Sequence, residues 1–281
     1  MGPLIRNVSD TALWVASYRA EESERPDAVF HDPYAKRLGG KRGEEIARSM
    51  SATSKTGGSW PIVARTYLID KLVMQQLRQG VDMVINLAAG LDSRPYRMKL
   101  PPTLKWVEID LQEILAYKEQ ILANDKPVCE LERIAMDLSD ADKRHAIFEQ
   151  LSQKASKALI ISEGLVVYLK REDVAALATD LNAQKNFHYW ILDLASPGLL
   201  RMLQKNFGEK ISQAPMQFGP EEGAGFFHKY GWQTVEVHSQ LKAAGRLKRL
   251  PLMLRWVALL PESKRPAGSR PWSGVCLFER Q

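Results

Sequence analysis

Met83-Val84-Ile85-Asn86-Leu87-Ala88-Ala89-Gly90-Leu91-Asp92 is the stretch on which the fold of this 281-residue chain turns. Residues 83–87 form a short run of mostly apolar side chains, too brief for a stable helix and bounded by small residues, which predicts a buried strand. Ala88-Ala89-Gly90 then predicts a turn whose small side chains let a ligand approach the backbone closely. Working downstream, residues 104–110 repeat the pattern and end in Asp110. Residues 131–137 predict a third strand ending in Asp137, residues 158–163 a fourth ending in Glu163, and residues 189–194 a fifth. Helical spacing appears between them at 114–122 and 172–181, and a helix ending at Gly231 precedes two late strands at 232–237 and 274–278. Upstream, residues 1–80 read as helical, with a turn at His31-Asp32-Pro33-Tyr34 and a small polar stretch at 51–59 that reads equally as a lid or a plain connector. Short strands alternating with helices predict an α/β doubly wound, Rossmann-like sheet under an N-terminal helical cap.

Ligands of such sheets bind beyond the carboxyl ends of the strands. Here those ends carry Ala88, Gly90, Asp110, Asp137 and Glu163. A carboxylate about 20 residues after a small-residue turn suits the two hydroxyls of a ribose, which fits either NAD or S-adenosyl-L-methionine (SAM). Two features favour SAM. The turn lacks the full G-x-G-x-x-G that presses a pyrophosphate onto a helix N-terminus, and Asp137 is well placed to accept from an adenine amino group.

Asn86-Leu87-Ala88-Ala89-Gly90-Leu91-Asp92-Ser93-Arg94-Pro95-Tyr96-Arg97 resembles the N-L-G-A-G-L-D-T-R-P-Y-R signature of the leucine carboxyl methyltransferase-like family, which includes bacterial polyketide O-methyltransferases. Thr11-Ala12-Leu13-Trp14, His31-Asp32-Pro33-Tyr34-Ala35, Arg65-Thr66, Glu108-Ile109-Asp110, Asp137-Leu138 and Glu163-Gly164-Leu165-Val166-Val167-Tyr168-Leu169 carry the resemblance across residues 9–195. It implies one SAM-dependent methyltransferase domain over 1–281, of the class I type, with a seven-stranded sheet whose last strand is antiparallel. Its parts would be a cap at 1–80, a core at 81–237, a basic helical insertion at 238–271 and a last strand at 272–281. It also implies roles: Arg65 pairing with the SAM carboxylate, Ala88 to Gly90 passing the methionine moiety, Asp110 holding the ribose, Asp137 and the Leu138 backbone binding adenine, and Glu163 meeting the amino end. Ala88 departs from the signature's first glycine, which narrows the approach in a turn expected to keep φ negative.

Composition bounds the alternatives. With 45% hydrophobic and 26% charged residues the chain is globular. No run approaches the roughly 18 apolar residues of a membrane span, and the first residues lack the long apolar stretch of a secretory signal. Two cysteines exclude a disulfide framework, so a reduced cytoplasm is the expected compartment. The five histidines show no metal spacing, and no metal is expected. The net charge of +6 is uneven: residues 238–281 hold nine lysines and arginines against two glutamates, while the rest is near neutral. Nucleic acid is therefore not an expected partner. Pro251 divides this segment into two short helices in which Arg246 and Arg249 interleave with leucines, which predicts an acceptor-pocket wall for an anionic, lipophilic small molecule.

No catalytic dyad is evident, so catalytic residues are not assigned. A carboxylate acceptor is already ionised at neutral pH and needs no base, which points to a small-molecule carboxylate as the methyl acceptor. The alternative acceptor, a phenol or hydroxyl of a polyketide-like metabolite, would want a base, for which His31 and His228 are the candidates. The two further alternatives are an NAD-dependent oxidoreductase and a non-catalytic basic binding module. Neither the oligomeric state nor the identity of the acceptor follows from the sequence.

Overall fold

The computed structural model describes residues 5, 8–53, 58–208, 212–260, 268 and 270–281. Three helices open the chain: α1 (Val8–Ser23), α2 (Ala35–Thr53) and α3 (Trp60–Arg78). There follow β1 (Met83–Leu87), a single helical turn α4 (Arg94–Arg97), β2 (Lys105–Asp110), α5 (Gln112–Ile121), β3 (Glu130–Ala135) and α6 (Ala141–Lys154). Next come β4 (Ala158–Ser162), α7 (Arg171–Asn182), β5 (Phe187–Ala195) and α8 (Pro197–Phe207). A 3₁₀ segment (Gly223–Tyr230), β6 (Trp232–Ser239), α9 (Gln240–Arg246), α10 (Leu252–Leu259) and β7 (Ser273–Arg280) complete the chain. The turn at 31–34 leads into the long helix α2, which is interrupted at Gly40, whose φ of 55° is non-helical. Of the stretch at 51–59, residues 54–57 lie outside the described residues.

The seven strands run in the order β3-β2-β1-β4-β5-β7-β6. Every residue of β1 and β4 is buried, as expected of central parallel strands covered by helices on both faces. The pairings from β3 through to β5 are parallel, and β7 lies antiparallel to both β5 and β6. The two late strands therefore do pair, with Val237 opposite Cys276. The chain order reverses at β1 and β4, so a crevice opens beyond their carboxyl ends. One core layer, built around Trp190, Trp232, Phe227 and Phe278, fills one face of the sheet; α3 and α9 cover the other.

Pro251 does separate two short helices, but among the described residues no lysine or arginine of the basic segment lines the crevice. Arg249 instead clamps it to the cap: its Nε and Nη2 donate to Glu22 at 2.9 and 2.8 Å, and its Nη1 donates to Asp27 at 3.0 Å. Arg249 and Glu22 are nearly inaccessible to solvent. Removing one partner of a buried pair strands the other charge. Arg249→Ala is expected to lower stability by about 3 kcal/mol, read as a fall in urea midpoint at unchanged m-value.

Candidate active site

Beyond the carboxyl ends of β1, β2, β4 and β5 lies a cavity of about 1240 Å³. That exceeds the roughly 300–1,000 Å³ of a pocket for one drug-sized ligand, so it has room for two molecules side by side. All seven residues singled out in the sequence, Arg65, Ala88, Gly90, Asp110, Asp137, Leu138 and Glu163, line it.

The turn after β1 is held by the acid at the end of β2. The Gly90 N–H donates to one Asp110 oxygen at 2.6 Å, and the Leu111 N–H donates to the other at 2.7 Å. Burial pushes the Asp110 carboxyl above its ordinary range, against the pull of those two amides. Ala88 and Gly90 have φ of 52° and 49°. The expected negative φ at Ala88 is thus incorrect. The chain places an alanine in the left-handed region, where its Cβ crowds the following carbonyl.

Behind this turn lies a lattice of buried ions. Arg94, 2% exposed, donates through Nε to Asp70 at 2.7 Å and through Nη1 to Asp92 at 2.8 Å and Glu163 at 2.9 Å. Arg65 donates through Nε to Glu163 and through Nη1 to Asp193, both at 3.0 Å. Asp193 also accepts the Gly164 N–H at 2.6 Å. Gly164 has φ of 67°, and a Cβ there would stand 3.4 Å from Arg65 Nη1. On the cap side, Arg19 donates to Asp32 at 2.9 Å, Ser93 donates to the same oxygen at 2.6 Å, and Arg97 pairs with Asp70. Burial would raise the Glu163 carboxyl, but Arg94 and Arg65 outweigh it and hold the group below its ordinary range. Burial likewise opposes ionisation of Asp92, and Arg94 beside it drives its pKa far down.

Asp137 is not at a strand end. β3 stops at Ala135, and Asp137 sits in the loop beyond, where its side chain accepts the Ser139 N–H at 2.9 Å. The Leu138 carbonyl accepts from Arg144 Nη1 at 2.6 Å. Sequence reasoning passed over Asp193, although it is the one acid in an otherwise apolar strand. It also passed over Arg94, although the quoted motif contains it. The apolar end of the cavity, with Trp14, Met50, Leu199, Met202, Leu203 and Phe207, had no local signal because it comes from separate helices. His31 and His228 are exposed and line none of it. Among the described residues no lysine or arginine of 238–281 lines it either; Gln240 and Ser273 do.

A family model described as leucine carboxyl methyltransferase matches residues 12–182. The chain belongs to the leucine carboxyl methyltransferase family. Two relatives carry the provisional name of S-adenosyl-L-methionine-dependent methyltransferase. A Parafrankia protein is 28% identical over 93% of this chain and 88% of its own length, and a Streptomyces avermitilis protein is 32% identical over 80% and 82%. Among solved structures, a DUF574-family protein from Streptomyces avermitilis superposes with a TM-score of 0.58 at 12% identity, over 95% of this chain and 97% of its own. A Thermobifida fusca protein provisionally named a methyltransferase gives the same TM-score at 14% identity, over 100% and 96%. These structures share the fold of this methyltransferase family member.

Two outcomes are expected at this site. A left-handed alanine costs about 1 kcal/mol, part of which glycine returns through its freer unfolded chain. Ala88→Gly should therefore raise stability by about 0.5–1 kcal/mol, seen as a higher Tm. Glu163 and Asp92 have folded-state pKa values below their unfolded ones, so their stabilisation is complete above about pH 5 and lost as pH falls. Urea titrations between about pH 7 and pH 3 should show stability falling with acid, and Glu163→Gln should flatten that fall.

Proposed function

We propose that this methyltransferase moves the methyl group of SAM to an oxygen, and that its preferred acceptor is the carboxylate of a lipophilic small molecule. The observation that carries the reading is the composition of the cavity wall. Of its six lining acids Asp92, Glu163 and Asp193 are held by arginines, Asp110 and Asp137 accept backbone amides, and among the described residues no histidine lines it. A wall without a histidine base favours a nucleophile that is already ionised.

The ion lattice at and behind the charged end of the cavity suits SAM. Arg19, Arg65, Arg94 and Arg97 are interleaved with Asp32, Asp70, Asp92, Glu163 and Asp193, one negative charge in excess. The amino-acid end of SAM together with its sulfonium carries one positive charge in excess. Arg65 would hold the carboxylate of SAM and Glu163 its amino group. Ala88 and Gly90 would bound the methionine chain, Asp110 the ribose hydroxyls, and Asp137 with the Leu138 backbone the adenine. The desolvated Asp110 carboxylate gains from such hydroxyl donors, because two backbone amides and the charge of Lys118 only partly offset its burial. When bound, SAM supplies an electrophilic methyl group.

The chain's own contribution is then alignment and exclusion of water. Fixing donor and acceptor in line can supply about 7–11 kcal/mol. The side chains of Trp14, Met50, Leu199, Met202 and Phe207 exclude water and so raise the reactivity of a carboxylate. Lys205 lines the same side and has no ion-pair partner among the described residues. It would draw an acid in from the exposed rim without a tight buried pair that quenches the nucleophile.

Three measurements test this. With methyl-labelled SAM, products from lipophilic carboxylic acids should release volatile methanol in mild base, as esters do. Label that stays base-stable with acids, phenols and amines alike excludes the carboxylate reading. Asp110→Asn should lower SAM affinity at least about tenfold, with little change in the ligand-free Tm, because relief of desolvation offsets the one amide bond that the Asn nitrogen cannot accept. Lys205→Met should raise KM for acids several-fold and leave SAM affinity unchanged.

A further inference from the structure

Helix α10 is the most exposed apolar element of the described structure. None of its residues is buried. Leu252, Met253, Trp256 and Leu259 are 73%, 83%, 77% and 77% exposed, and Leu260 just beyond is 61% exposed. These positions follow the i, i+1, i+4, i+7, i+8 spacing of one helical face. The opposite face, Leu254 and Ala258, packs on the core layer that α3 and α9 share. A water-facing stripe of large apolar side chains costs solubility and marks a binding surface.

Exposed bases border the stripe. Arg246 and Lys248 sit in the connection from α9, and Arg255 lies on the flank of α10. Arg249, by contrast, is committed to Glu22 and Asp27. A short helix with tryptophan and leucines on its outer face and a rim of free cations is the composition that inserts at an anionic lipid surface. A second copy fits less well. A two-fold contact sets a patch against itself, so Arg246, Lys248 and Arg255 would meet their own counterparts. Eight helical residues also span only about 12 Å, small beside the roughly 800 Å² per partner of a stable interface.

We propose that α10 and its basic rim dock this protein on the surface of an anionic phospholipid membrane, α10 lying in the interface plane without spanning it. Among the described residues no helix is long and apolar enough to cross a membrane. The inference rests on α10 and its rim, not on the acceptor proposed above.

The test is sedimentation of the full chain with vesicles of phosphatidylcholine alone and of phosphatidylcholine mixed with phosphatidylglycerol. The parent is expected to pellet with the mixed vesicles, weakly with phosphatidylcholine, and less in high salt. Trp256→Ser with Leu259→Ser should cut partition at least about tenfold. Arg246→Gln with Lys248→Asn should cut it about 25-fold on mixed vesicles only, at about fivefold per base. Asn is chosen at 248 because Lys248 has φ of 58°, which asparagine tolerates. The altered side chains are exposed, so the parent's Tm should be kept; if it is not, the parent's own lipid and salt dependence decides. A parent that ignores mixed vesicles, or binds both kinds equally in any salt, overturns the proposal. So does a concentration-dependent dimer, lost in the Trp256/Leu259 variant, from a parent that leaves vesicles unbound; that result assigns the face to a second copy.

Discussion

The guanidinium of Arg94 is the point to which the active end of this protein is tied. It joins Asp70 of α3, Asp92 of the β1 turn and Glu163 beyond β4, three segments far apart in sequence, within one buried contact set. Burying these charges carries a desolvation cost of several kcal/mol per ion. The cost is tolerable only if every lone pair and every N–H finds a partner, so the positions of all members are mutually determined. Arg65 then joins Glu163 to Asp193 on β5, and Asp193 receives the Gly164 amide. Through Asp70 the set reaches Arg97, and from there Asp32, Arg19 and the helical cap. A neutral, well-packed core of the same volume would be at least as stable. Its replacement by ions in one place, at the mouth of the crevice, is the pattern of a site that must hold a charged ligand rigidly.

Elements whose signal is local were legible in the sequence. The buried strands read as apolar runs, and the order of strand, turn and acid located Ala88, Gly90, Asp110 and Glu163 on one cavity. The late antiparallel pairing came from the resemblance, since nothing in residues 232–237 or 274–278 encodes direction. What escaped is whatever depends on distant partners. The positive φ at Ala88 belongs to a turn tied to a partner twenty residues on, through the Gly90–Asp110 bond, and nothing in the alanine itself signals it. Arg246 and Arg249 look alike in sequence, yet one is exposed and the other is drawn to Glu22 at 2.8 Å. A basic, leucine-rich segment between two strands has no inherent direction. Its inner leucines sit over α3, and this aims its bases at the cap and at solvent instead of at the crevice.

The cavity has two ends with different origins. The charged end is formed by strand ends and the first turns after them, whose positions follow from the sheet. The apolar end is assembled from α1, α2 and α8, which reach over the crevice from outside the sheet. The residues of the charged end singled out in the sequence all fall within 12–182, the span matched by the family model. Leu199, Met202, Leu203, Phe207 and Met216 of the apolar end all lie beyond it, as does Asp193. Side chains on α8 can change size or polarity while the Arg94 contacts stay intact, because no member of that ionic set lies on α8. On the proposed reading, acceptor choice is thereby separable from cofactor retention. On that reading the family match covers most of the end that would hold the methyl donor and takes in Trp14 and Met50 of the other end, whereas α8, which lies beyond it, must be read from this chain alone.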